Sequence, residues 1–202
     1  MSAGSGNPFN IGLDRNPANF QPLTPLLFLE RAAAVMPDRP AIIHGERVDD
    51  YARFHERSKR LCSALTRLGI RRGQTVSVLL PNTPAMLEAH HGVPMTGAVL
   101  HAINTRLDAR TIAFQLDHAG ARVLIVDAEF LGLAEAALGL AEGRPQLVVV
   151  NDVWPAQPIT ARADALDYEV LLAASDPDAP WSLPEDEWDA IALNYTSGTT
   201  GD

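Results

Sequence analysis

The residues best suited to chemistry lie together, in the run Ile191-Ala-Leu-Asn-Tyr-Thr-Ser-Gly-Thr-Thr-Gly-Asp202. An apolar strand leads directly into Thr196, Ser197, Gly198, Thr199, Thr200 and Gly201. Two glycines let backbone N–H groups turn toward an anion, and four hydroxyls add donors or metal-facing oxygens. This is a phosphate cradle. Its alternative reading is a Thr/Gly-rich turn or tail. It is not a Walker A loop, because Gly198 and Gly201 stand too close and no Lys follows; Gly92 and Gly97 have that spacing, but Ala98-Val99 follows them. The six histidines are dispersed except for His90-His91, with no HExxH, so no metal ligand and no general base is assigned. Cys62 falls on an apolar helical stripe and reads as a buried structural thiol.

Short apolar strands alternate with helices along the chain. The spacing predicts a helix over Thr24–Met36, a hairpin over Ala41–Val48, and a long helix whose stripe is Tyr51, Phe54, Ser58, Leu61, Cys62, Leu65 and Leu68. Strands are expected at 75–80, 98–103, 123–126 and 147–150, with helices after Thr83, after Asp108 and over 130–140. That rhythm implies βαβ units, hence an α/β fold with a mainly parallel sheet covered by helices on both faces. Residues 1–21 read as a flexible arm, and 22–202 as one incomplete domain. Residues 152–189 form a Pro- and acid-rich excursion containing a short helix around 163–174; its six acids between 174 and 189 read as a solvated linker rather than a cation site. Arg53, Arg57 and Arg60, with Asp49, Asp50 and Glu56, are expected on a solvated helix face.

Composition narrows the function. The 202 residues are 47% apolar and carry a net charge of −9, with a pI near 5.0. That balance disfavours a nucleic-acid or anionic-membrane partner. No apolar run reaches the roughly 18 residues that span a bilayer. The first 14 residues hold no Lys or Arg, so no secretory leader is expected, and the single cysteine excludes a disulfide framework. A cytoplasmic protein is expected, and a homo-oligomer is compatible with the sequence.

TSGTTG after an apolar strand resembles the phosphate-binding signature of the adenylate-forming (AMP-binding) superfamily of acyl-CoA synthetases, luciferases and peptide-synthetase adenylation domains. The resemblance covers roughly residues 22–202. It includes LTPLLFLER (23–31), PDRPAI (37–42), VSVLLPNTP (76–84), GVPMTGAV (92–99), NTRL (104–107) and ARVLI (121–125), all in family order. The chain looks most like the N-terminal part of bacterial short- or medium-chain fatty-acyl-CoA ligases, including methylmercaptopropionate-type enzymes. The family loop continues as Pro-Lys-Gly, and Asp202 fits just before it. Asp49-Asp50 stand where relatives carry strand-friendly residues, which implies a weakened strand.

The resemblance implies ATP, Mg²⁺ and coenzyme A as cofactors and a small carboxylic acid as substrate. The acid attacks the α-phosphate to give an acyl-adenylate and pyrophosphate, and a thiol then displaces AMP. Thr196 to Gly201 would hold the β- and γ-phosphate oxygens with Mg²⁺. The sequence ends inside this loop, so the acyl pocket, the adenine contacts and a catalytic Lys are expected beyond it, and the 202 residues alone are expected to be inactive. The alternative is a truncated non-catalytic protein, a phosphate-binding or interaction module whose last strand forms an exposed sheet edge.

Overall fold

The computed structural model of the protein describes residues 7, 9, 11–151 and 163–196. Ten residues, Leu26–Val35, form α1; Thr24 Oγ1 accepts from the Leu26 N–H at 3.4 Å. An antiparallel hairpin follows, β1 (Pro40–His44) with β2 (Arg47–Asp50). Asp50 then starts α2 (Tyr51–Arg67), its Oδ1 accepting from the Arg53 N–H at 2.8 Å. Gly69, at φ +90°, closes that helix in a conformation other residues rarely adopt.

The remaining elements are β3 (Thr75–Leu79), α3 (Pro84–Gly92), β4 (Val99–Ala102), α4 (Ala109–His118), β5 (Ala121–Asp127), α5 (Leu131–Leu140), β6 (Gln146–Val150), β7 (Leu166–Asp167), α6 (Tyr168–Ala173) and β8 (Ala192–Leu193). Six strands make one sheet in the order β7-β6-β5-β3-β4-β8, and every pairing is parallel. The expected α/β architecture is therefore the observed one. Strand β7 was not foreseen, and the helix expected over 163–174 is confined to α6.

Alternation along the strands divides the core. Val76, Val78, Val123 and Ile125 face a layer built from α2, α3 and α6. Leu79, Leu124, Val126 and Leu147 face α4 and α5. A third cluster, with Leu26, Ile42, Phe54, Cys62 and Met95, fills the space beneath the hairpin. Burial pushes the Cys62 thiol up to about 11, so it stays protonated at neutral pH.

Because all six strands run the same way, their carboxyl ends share one edge of the sheet. Open α/β sheets bind ligands there, and the order β4-β3-β5 places the reversal of winding beside β3. Helices α2 and α3 cross closely at Gly92, where an added Cβ would lie 2.8 Å from the Ser58 carbonyl oxygen and 2.9 Å from Leu61 Cβ. Gly92→Ala is therefore expected to destabilise the chain by about 1–3 kcal/mol through overpacking, although alanine is the better helix former. Urea denaturation checks this, and a variant more stable than the parent would contradict the close approach.

Candidate functional site

Strand β8 joins the sheet through Leu100↔Ala192 and His101↔Leu193, and the Leu100 N–H donates to the Ile191 carbonyl at 3.0 Å. Beyond Leu193 the ladder stops and side chains take over. The Tyr195 hydroxyl lies 2.7 Å from Nδ1 of His118 at the end of α4. Its ring is 5.0 Å from that of His101, which is fully buried on β4. His101 Nδ1 pairs with Ser77 Oγ on the adjacent β3 at 2.9 Å. Thr196 follows, exposed at the carboxyl end of β8. Ser197, Gly198, Thr199, Thr200 and Gly201 lie outside the described residues. Of the expected loop residues the structure therefore describes Thr196 alone, just beyond the carboxyl end of β8.

Other groups line that edge. Thr83 occupies the N-cap position of α3, but its hydroxyl makes none of the expected cap bonds. The Met86 and Leu87 N–H groups donate to its carbonyl instead, leaving Thr83 Oγ1 buried without a partner. Asp127 Oδ1 accepts from the Glu129 N–H at 2.9 Å. The neighbouring histidines are not gathered into a metal centre: among the described residues no group of three or more His, Cys, Asp or Glu could hold an ion. His90 and His91 turn back on α3, with Nδ1 atoms 2.8 Å and 3.1 Å from the Met86 and Leu87 carbonyls. Burial lowers the pKa of His101, with the Gln115 side chain opposing, and the ring's Nε2 is buried without a hydrogen-bond partner.

Behind the edge sits an ionic cluster that overturns one expectation. Arg57 is not on a solvated face. It is buried, with Nε 2.5 Å and Nη2 3.1 Å from the two oxygens of Glu88, itself completely buried on α3. The same guanidinium reaches Glu169 of α6 at 2.6 Å and 2.9 Å, and Tyr168 donates its hydroxyl to Glu88 at 2.7 Å. Arg57 falls three residues after Phe54 and four before Leu61, on the apolar stripe. Glu88 likewise interrupts the small-residue stripe Ala85, Ala89, Gly92. Those two interruptions were the available signal. Asp49 is also buried, paired with Arg47 at 2.6 Å and Arg53 at 3.0 Å, so the strand expected to be weakened is held by its acid. Of the six acids of the excursion, Asp176, Asp178, Glu185, Asp186 and Glu187 are exposed, as a solvated linker implies, although Asp189 lies 2.8 Å from Arg72 and the Glu187 carboxylate accepts from the Leu23 N–H at 2.9 Å.

A model of the AMP-binding enzyme family matches residues 29–202. An acetate/butyrate–CoA ligase of Arabidopsis thaliana, named peroxisomal, is 48% identical over 93% of the chain. An acetate–CoA ligase of Humulus lupulus is 45% identical over the same share, and a trans-cinnamate:CoA ligase of Petunia hybrida is 42% identical over 92%. The chain spans about a third of these relatives' length, 35% in each case. Among solved structures, an anthranilate CoA ligase bound to anthranoyl-AMP superposes with a TM-score of 0.78 at 26% identity, covering 87% of this chain and 32% of that one. The fold is that of the adenylate-forming CoA ligases. The chain belongs to the AMP-binding enzyme family and corresponds to an N-terminal part of its members.

The electrostatics lead to two expectations. Arg57→Ala leaves Glu88 buried with its bidentate partner gone and should cost about 3–5 kcal/mol, while a paired Arg57→Met/Glu88→Leu replacement should cost far less. Chemical denaturation of both variants tests this; equal losses would contradict a buried pair. Burial also lowers the pKa of His55, His91 and His101. Their unfolded counterparts protonate near about 6.5. Just below that pH the unfolded chain holds more protons, so stability is full above it and lost as pH falls. For Glu169, burial alone would raise the pKa, but Arg57 outweighs it and holds the carboxyl below its ordinary value. Its contribution is therefore lost only at lower pH. The urea midpoint should fall between pH 7.5 and 5.5, and a flat profile would rule out the neutral histidines.

Proposed function

We propose that the protein containing these residues is an ATP-dependent acyl-CoA ligase acting on short-chain carboxylic acids. An acid and ATP give the acyl-adenylate and pyrophosphate; the thiol of coenzyme A then displaces AMP and the thioester forms. The observation that carries this reading is the hydroxyl- and glycine-rich run 196–201, continuing from a parallel strand whose carboxyl end brings Thr196 to the ligand-binding edge. Its donor set suits phosphate oxygens: by residue type Thr196, Ser197, Thr199 and Thr200 offer hydroxyls, and Gly198 and Gly201 permit close approach of amides. Mg²⁺ would accompany the nucleotide and neutralise the departing pyrophosphate.

Short-chain acids are favoured because acetate and butyrate ligases are among the most similar relatives. We also assign the protein to the cytoplasm, on its acidic balance and on a buried free thiol suited to a reducing compartment. No described helix is long and apolar enough to cross a membrane.

ATP–pyrophosphate exchange by the complete enzyme tests the chemistry. Exchange dependent on acetate or butyrate is expected, and none with any carboxylic acid would reject a ligase. Thr199→Ala should slow adenylation by about 10²–10³, the usual effect of removing one preorganised donor, and should leave thioester formation from added acyl-adenylate little changed. Equal slowing of both half-reactions in single-turnover assays would remove Thr199 from the phosphate site.

A further inference from the structure

We propose that Tyr195, through its hydroxyl contact with His118 and its seat against His101, is the positioning residue for the loop beginning at Thr196. The role presupposes the phosphate-binding reading of residues 196–201. Only two residues of β8 pair with β4, so the ladder of β8 among the described residues ends two positions before Tyr195. Tyr195 is the next fixed point, and it touches two separate elements. Its hydroxyl meets His118 Nδ1 at 2.7 Å, across 77 residues of sequence, in the last turn of α4. Its ring rests 5.0 Å from His101, inclined at 54°.

Both supports are themselves held. His118 stacks on Phe114 at 5.5 Å, one helical turn earlier. His101 is pinned to Ser77 on the neighbouring strand, so it belongs to the sheet rather than to the loop. Tyr195 is thereby clamped between the sheet and the helix next to it, one residue before the first hydroxyl of the cradle. The phenol is not a proton carrier, since burial moves its pKa further above neutrality. What it contributes is place. A loop that stabilises charge through fixed dipoles loses much of its effect when misplaced by about 1 Å.

Tyr195→Phe keeps the ring and deletes only the hydroxyl. Hydrogen–deuterium exchange on the full chain is expected to quicken in a peptide covering 194–201 and to stay unchanged in one covering β5. His118→Leu should reproduce this. His118→Asn, whose amide can stand where Nδ1 does, should restore most of the protection. In the complete enzyme, Tyr195→Phe should raise KM for ATP about tenfold, the order of one hydrogen bond. Thioester formation from added acyl-adenylate should not change, because the pyrophosphate has already left. Unchanged exchange at 194–201, or equal quickening in the β5 peptide, overturns the positioning role whatever the activity. Quickened exchange with an unaltered ATP KM leaves Tyr195 as the anchor of the loop and removes the phosphate reading instead.

Discussion

A carboxylate sealed from water sets the arrangement of one whole helical layer. Glu88 is completely buried, and an ion in that position costs several kcal/mol unless its oxygens are met from every side. Arg57 of α2 meets both oxygens, Tyr168 at the start of α6 meets one, and Arg47 from the hairpin approaches at 3.4 Å. A guanidinium is a planar fork, so it accepts few relative orientations of α2 and α3. Gly92, one turn beyond Glu88, permits the close crossing that this fork demands. A well-packed apolar substitute can match such a cluster in stability. What the apolar substitute lacks is direction: the observed placement of α2, α3 and α6 brings Arg57 to both oxygens of Glu88 and Tyr168 to one.

That placement propagates to the site. Helix α3 is the crossover from β3 to β4, and β4 is the strand on which β8 lies. Within this otherwise apolar wall, the cross-strand pair Ser77 and His101 is polar and buried, with one ring nitrogen left unpartnered. Core rules are relaxed at this point, and it is also where the chain turns from strand to loop. The same buried ring serves the sheet through Ser77 and the loop root through Tyr195.

What was legible in the sequence was what is written in local periods. The four long strands, α2 with its stripe, and the hydroxyl–glycine run each announce themselves within a few residues. Strands β7 and β8 are two residues each, too short to carry a period of two; β8 was readable only because the loop follows it. Arg57 was misplaced because a cation on a helix is assigned to solvent by default. Its angular position between Phe54 and Leu61 said otherwise, but its partners stand 31 and 112 residues away. Asp49 was judged by strand preference alone, when its environment is set by two arginines. The Tyr195–His118 contact is of the same kind, a pairing that only the parallel sheet brings together.

Charge explains why the root of the loop should matter so much. The chain carries −9 overall, and the described cations between 47 and 72 are largely committed: Arg47 and Arg53 to Asp49, Arg57 to Glu88 and Glu169, Arg60 to Glu56, Arg72 to Asp189. The run 196–201 contains no Lys or Arg. On the proposed reading, residues 196–201 would themselves meet a phosphate with neutral hydroxyls and amides, its charge being balanced by its own metal ion and by groups outside these 202 residues. Salt screens the distant acids within about 8 Å at physiological ionic strength, so the net charge is little obstacle once contact is made. Dipoles, however, act only at short range and only when aimed. On the proposed reading, a site that relies on them depends on the accuracy with which its first residue is held, and the two-residue strand β8 and the ring of Tyr195 would supply it.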